Sequence, residues 1–420
     1  MLRVIYTFLL ILVSPIFLYG LFKKKPGKPP VGHRWKEHFG QTPAITSTKP
    51  IVWFHAVSVG EVIAASPLIR RYAQRFPNKS IVITTTTPTG AKQAEQLSDI
   101  ATHRYMPLDF PFAIRGFIKT VKPRELIIVE TELWPNTLEL VSRAGIPITV
   151  INARLSERSF LRYRKVQPLF TMMTKNLDKI LCQFQDDAER FIRLGISEER
   201  VQVTGSVKFD ITLDSKKVAE GQQLRHLIGS DRPVWIAAST HDGESEQIIE
   251  VHQLIKKTLP EALLILVPRH PETFDKCYKY TQKLNLDTIK RTDLPTFIPD
   301  NVSIILGDTV GDMFTYLAAS DVCFMGGSLL GSKVGGHNLI EPAAIGLPIL
   351  VGPSYFNFNE ITEKLSHTGA CQIVQDTSSL LDALIPLLNS PEESRKHGNI
   401  GRSFVEINRG ALEKTLKNIN

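Results

Sequence analysis

Short β-branched, apolar runs alternate with longer helix-patterned stretches along most of this 420-residue chain, in two successive series. The first series comprises Ile51–His55, Ser80–Thr86, Glu125–Val129, Ile148–Asn152, Lys179–Gln183 and Val201–Thr204. A polar stretch from Thr212 to Glu220 separates it from the second: Val234–Ala238, Leu263–Val267, Val302–Leu306, Val322–Met325 and Ile349–Val351. Near-continuous apolar strands with helices between them are covered on both faces, the condition for parallel sheets. The pattern predicts an α/β fold with two doubly wound, Rossmann-like domains and a cleft between them. Ligands of such sheets sit at the carboxyl ends of strands. The residues just after each run are therefore the ones to read for chemistry.

The N-terminus carries a second signal. From Val4 to Phe22 there is no charge, and Arg3 and Lys23-Lys24-Lys25 bound the run. Crossing a bilayer core takes roughly 20 apolar residues. A signal peptide would place its charge ahead of the apolar run, whereas Lys23, Lys24, Lys25, Lys28, Arg34 and Lys36 follow it. The positive-inside tendency then predicts a retained anchor over 1–22, with the rest on the cytoplasmic side of the membrane. Pro15 allows a kink and hence a monotopic anchor.

Beyond the anchor, about 400 residues exceed one core and suit two domains. With 43% hydrophobic and 22% charged residues the composition is globular, which excludes a disordered chain. Cys182, Cys277, Cys323 and Cys371 are scattered and form no CxxC pair, so neither a metal site nor a disulfide framework is predicted. A net charge of +8 beside an anchor favours an anionic lipid surface, and no nucleic-acid motif is present.

Several strand ends carry chemistry. Ser58-Val59-Gly60-Glu61 follows the first run and puts Glu61 at a helix start. There it reads either as a general base toward a hydroxyl or as a carboxylate favoured by the helix dipole. Glu130-Thr131-Glu132-Leu133-Trp134-Pro135 holds two carboxylates that face opposite sides if the strand continues, or else enter a helix. Thr204–Asp210 ends the first series, and its Lys208 reads as a charge neutraliser or a solvated lysine. Pro268-Arg269-His270-Pro271-Glu272 places an arginine fork where a phosphate clamp is needed. Gly307–Met313 follows the next run and offers backbone contacts or an ordinary capped turn.

The densest motif is Gly326-Gly327-Ser328 followed by Gly335-Gly336-His337-Asn338-Leu339-Ile340-Glu341-Pro342. Glycines let backbone approach a phosphate, a new helix offers N–H groups, and Glu341 suits a ribose diol. A plain glycine-rich turn is the competing reading. The basic residues Arg154, Arg158, Arg162, Arg164 and Lys165, with Phe160 and Tyr163, read as a headgroup contact or a solvated helix face.

Taken in order, Ser58–Glu61, Thr86–Gly90, Glu130–Pro135, Asn152–Ser156, Thr204–Asp210, Val267–Glu272, Gly326–Ser328 and Gly335–Pro342 resemble the lipid A-specific 3-deoxy-D-manno-octulosonic acid (Kdo) transferases. The resemblance spans almost the whole chain. It implies a GT-B glycosyltransferase with the anchor at 1–22, an acceptor-binding domain at 23–212 and a CMP-Kdo-binding domain at 213–420, whose last helix can pack back on the first domain. It implies inverting transfer of Kdo from CMP-Kdo to the glucosamine disaccharide of the lipid A precursor, in lipopolysaccharide core synthesis and without a metal cofactor. Carried over residue by residue, Glu61 is the base, and Glu130 and Lys208 assist. Pro268, Arg269, Val310, Gly311, Asp312, Asn338, Leu339, Ile340 and Glu341 hold CMP. Asp312 stands where some relatives carry Glu, and the loop from Ser328 to Val334 looks longer than in some. A GT-B enzyme using another nucleotide sugar, and a tethered bilobed sugar-binding protein, are the rival readings.

Overall fold

A computed structural model describes residues 2–22 and 32–419. The chain forms two compact units, one running to Asp210 and taking up the segment from Arg409 onward, the other Ile211–Asn408.

The first unit is built on seven parallel strands: β1 (Ile51–His55), β2 (Ser80–Thr85), β3 (Ala101–Tyr105), β4 (Pro123–Val129), β5 (Ile148–Ala153), β6 (Lys179–Cys182) and β7 (Val201–Val203). Their order is β3-β2-β1-β4-β5-β6-β7, so the winding reverses between β1 and β4. All five residues of β1 are buried, because helices cover both faces of the sheet. Asp210 fastens the returning C-terminal segment, its two carboxylate oxygens accepting the N–H groups of Gly410 and Leu412, both at 2.5 Å. Leu416 and Ile419 there join the core of Val52, Phe54 and Ile127.

The second unit repeats the plan with β8 (Val234–Thr240), β9 (Leu263–Pro268), β10 (Thr288–Lys290), β11 (Ile304–Leu306), β12 (Val322–Met325), β13 (Ile349–Val351) and β14 (Cys371–Ile373). The order is β10-β11-β9-β8-β12-β13-β14, parallel throughout, with the reversal between β8 and β12. All four cysteines are buried free thiols.

The strands β3, β10 and β14 are not among the apolar runs read from the sequence, and each lies at a sheet edge. Ala-Thr-His-Arg-Tyr and Thr-Ile-Lys are half-buried along almost their whole length, so no continuous apolar run marks them.

Residues Leu2–Phe22 form a helix with Pro15 inside it. Among the described residues no helix is long and apolar enough to cross a membrane, so the structure does not support a spanning anchor. The start of this helix docks on the first unit instead. Arg3 pairs with Glu139 at 3.5 Å, and the Asn136 amide donates to the Thr7 hydroxyl at 2.9 Å. The opposite face, with Val4, Phe8 and Leu12, is exposed. Lys23, Lys24, Lys25 and Lys28 lie outside the described residues.

Candidate active site

In the first unit the chemistry gathers at the reversal point. β1 ends at His55, and Ser58 caps the helix Val59–Arg75 by accepting from the Glu61 N–H. Glu61 turns back in the manner of a capping box: its carboxylate accepts the Val57 N–H at 2.7 Å and the Ser58 hydroxyl at 2.8 Å. Glu61 is thus a first-turn carboxylate that caps its own helix. Burial pushes its carboxyl up to about 7, against those two hydrogen bonds, and the nearby Glu132 and Glu130 push the same way.

β4 ends at Val129, and Glu130 adopts a left-handed backbone with φ 62. The strand alternation therefore stops, and Glu130 and Glu132 both come near Glu61 instead of facing opposite sides. A non-glycine residue held there marks a position whose surroundings over-determine it. The Glu130 N–H donates to the Ile151 carbonyl at 2.9 Å, and the Thr131 hydroxyl donates to the Arg154 carbonyl, so the ends of β4 and β5 are tied. Glu132 is committed to structure, accepting the Trp134 indole N–H at 3.1 Å. Lys208 is half-buried on the short turn Val207–Phe209, which packs against the Glu61 helix. It has no hydrogen-bond or ion-pair partner among the described residues. Phe160 is buried, and Tyr163 packs against the core, so the aromatics of that basic stretch face inward.

In the second unit, Arg269 follows β9, and its N–H donates to the Thr240 carbonyl at the end of β8 at 2.8 Å. Asn338 turns its side chain back to the Ile340 N–H at 3.1 Å and to Glu341. Burial raises the Glu341 carboxyl; the Asn338 hydrogen bond and the Arg269 charge oppose it. Arg269, Asn338 and Glu341 therefore belong to one neighbourhood. His241 and His337 lie in it too, their Nε2 atoms 2.9 Å apart.

Residues 33–211 match the family model of the 3-deoxy-D-manno-octulosonic-acid transferases, and residues 236–404 match that of the group 1 glycosyl transferases. The chain is 39% identical to the 3-deoxy-D-manno-octulosonic acid transferase of Haemophilus influenzae over 99% of its own length and 97% of that protein's. It belongs to the Kdo transferase family. It is therefore a glycosyltransferase, and the tethered sugar-binding protein is set aside. The transferase of Bordetella pertussis is 33% identical over 87% of this chain and 86% of its own. The solved UDP-GlcNAc 2-epimerase of Neisseria meningitidis, 16% identical, matches with a TM-score of 0.56 over 88% of this chain and all of its own. That likeness shows the fold, GT-B-like with two Rossmann-like units, and fold alone does not choose a reaction.

For this family member the geometry also shows what already engages three of the expected contacts. The Gly326–Ser328 turn does not present its N–H groups to a phosphate. The buried Glu244 carboxylate fills it, accepting from Gly327 at 2.6 Å, Ser328 at 3.0 Å and Leu329 at 3.0 Å. Asp312 is occupied, paired with Lys217 at 2.6 Å and accepting the Thr309 hydroxyl at 2.6 Å, and these partners hold its carboxyl low against the opposing effect of burial. Beside it Val310 and Gly311 are exposed and offer backbone. Finally, Pro268, Leu339 and Ile340 have buried side chains, so only main-chain atoms remain for a ligand there.

Sequence reasoning missed Glu244 and His241. Each sits beyond a strand in an unremarkable His-Asp-Gly-Glu stretch, and only the pairing of β8 with β12 brings them to the glycine turn.

Proposed function

We propose that this glycosyltransferase moves Kdo from CMP-Kdo to a hydroxyl of the glucosamine disaccharide of the lipid A precursor, with inversion. The observation that carries the reading is the buried Glu61 carboxyl after β1, pushed up to about 7. A base with that affinity for protons is matched to neutral pH. Glu61 takes the proton of the acceptor hydroxyl, and the oxygen bonds to the anomeric carbon. The bond from that carbon to the phosphate oxygen breaks, and its electrons leave with CMP. Lys208, positively charged on the turn against the Glu61 helix, steadies developing negative charge, and Glu130 assists by orienting the acceptor.

In the second unit Arg269 takes the phosphate through its fork of donors, and Glu341, oriented by Asn338, takes the ribose. The exposed backbone at Val310 and Gly311 completes the CMP site, with Asp312 shaping that turn from its pair with Lys217. No metal is invoked.

We place the enzyme on the cytoplasmic side of the inner membrane. The docked helix Leu2–Phe22 turns the apolar residues Val4, Phe8 and Leu12 outward, an arrangement that suits lying in the membrane interface. The Lys-rich segment after it would meet anionic headgroups.

The experiment is a transfer assay with purified full-length protein, CMP-Kdo and lipid A precursor, followed by mass spectrometry of the lipid. A lipid heavier by Kdo, formed with CMP-Kdo and not with UDP-sugars, is expected. Equal transfer from a UDP-sugar would overturn the donor assignment.

A further inference from the structure

The reversal point of the second sheet lies between β8 and β12, where an open sheet offers its binding crevice. His241 follows β8 directly, and His337 comes from the loop that follows β12. Their rings lie parallel, 6° apart with centroids 5.1 Å from each other, and the two Nε2 atoms approach to 2.9 Å. His270, after β9, sets its ring edge-on to His241 at 5.2 Å. Gly327 permits the approach: a Cβ there would come within 3.0 Å of the His337 ring.

At 2.9 Å one Nε2 must donate and the other accept, so the neutral pair has a fixed choice of tautomers. A proton added at the other ring nitrogen of the donating histidine gives an imidazolium that donates to a neutral imidazole across the same contact. The protein surroundings oppose that cation. Burial and the charges of His241, Arg269 and His270 push His337 down to about 4, and burial, His270 and Arg269 likewise lower His241. Of the acidic groups, Glu244 faces His241 and favours its charge, but its carboxylate is already bonded to Gly327, Ser328 and Leu329. Glu341 faces Arg269. Glu272 reaches the His270 ring at 4.0 Å, and the His241 and His337 rings remain half-buried, within reach of a ligand.

We propose that His241 and His337 form a proton-linked oxyanion clamp, binding an anionic group of the donor and taking up a proton as it arrives. The clamp rests on the donor reading above for the identity of its ligand, which carries two such groups, the nucleotide phosphate and the sugar-acid carboxylate. Either oxyanion supplies a counter-charge to the pair, and binding and protonation then strengthen each other. His270 lies at the rim of this pair, edge-on to His241.

Isothermal titration of the full chain with CMP at pH 7, in buffers of different ionisation enthalpy, reads proton uptake directly. CMP-saturated protein is then titrated with free Kdo. Uptake with CMP assigns the clamp to the phosphate, and uptake only with the sugar acid assigns it to the carboxylate. The uptake should vanish in His337→Gln and His241→Gln, and the affinity of the parent for the responding ligand should rise as pH falls, by at most about tenfold per unit for one linked proton. Uptake in neither titration, or uptake unchanged in both variants, overturns the proposal. Ring-nitrogen NMR of the parent protein, which needs no variant, must show the pair titrating at higher pH in the liganded state. If UDP binds with the same uptake and CMP does not bind, the donor reading falls and the clamp stands. If CMP binds without uptake and the sugar acid also brings none, the reverse holds.

Discussion

The Glu244 carboxylate accepts the Gly327 N–H at 2.6 Å and is wholly buried. With the N–H groups of Ser328 and Leu329 on its other oxygen, it makes the turn after β12 an anion nest filled from within the protein. Its place at the start of the helix Glu244–Thr258 adds the favourable end of a helix dipole. Its Oε2 also accepts the His241 N–H at 3.2 Å, so removing it leaves four donors without their charged acceptor, three of them in a turn on which His337 packs.

Glu244→Ala should therefore destabilise the second unit by at least about 3 kcal/mol, since hydrogen bonds to charged groups contribute roughly 1.5–3 kcal/mol each. Urea unfolding measures this. A parent-like midpoint would mean that the turn holds without its carboxylate.

On the proposed mechanism Glu61 sets the pH dependence of transfer. A base pushed up to about 7 must lose its proton before it can accept another, so kcat/KM should fall as pH drops below that value. Glu61→Gln cannot accept the proton and should lose transfer by about 10²–10⁴-fold while CMP affinity is unchanged. A pH–rate profile and a CMP titration separate these effects; near-parent turnover would move the base elsewhere, with Glu130 the next candidate.

The same shift has a consequence for stability. The folded-state proton affinity of Glu61 lies above its unfolded value of 4.5. Its favourable contribution is thus complete below pH 4.5 and is lost as pH rises toward 7. Glu61→Gln, which never ionises, should be more stable than the parent at pH 8, by up to about 3 kcal/mol. The difference should shrink between pH 7 and 4.5. Paired denaturation curves at pH 8 and pH 5 check the sign.

Donor contacts can be ranked by what already engages each side chain. Arg269→Ala and Glu341→Ala should each weaken CMP binding by roughly one to two decades. Asp312→Asn should change it less than about threefold, because that carboxylate is spent on Lys217 and Thr309. Calorimetric titration of the three variants settles the order, and an Asp312→Asn loss as large as that of Arg269→Ala would restore Asp312 as a direct ligand.

Ile340 lies in the same motif as Glu341 but is fully buried. Ile340→Ala should cost about 2–5 kcal/mol of stability, as large-to-small core changes do. At temperatures where the variant stays folded, its CMP affinity should be close to the parent's. Thermal unfolding with and without CMP distinguishes a packing role from a binding one.

Local signals determined the two-sheet plan. Buried parallel strands must be apolar along their whole length, so runs such as Leu263–Val267 declare themselves in sequence, and the residues after them are where parallel sheets present ligands. The order of eight motifs was enough to point to the family. Three of the four edge strands escaped, and two of them, Ala101–Tyr105 and Thr288–Lys290, bury only part of almost every side chain. The partners escaped for another reason. Whether the glycine turn takes a phosphate or Glu244, whether Asp312 is free or held by Lys217, and which histidine meets His337 depend on contacts between residues 83 to 96 positions apart. Such contacts follow from strand order and burial, which no local spacing encodes. Sequence alone also made Leu2–Phe22 apolar and helical. Only the packed structure decided that Arg3 and Thr7 turn one side of that helix onto the first unit, because charged and hydroxyl groups near a folded surface seek partners there.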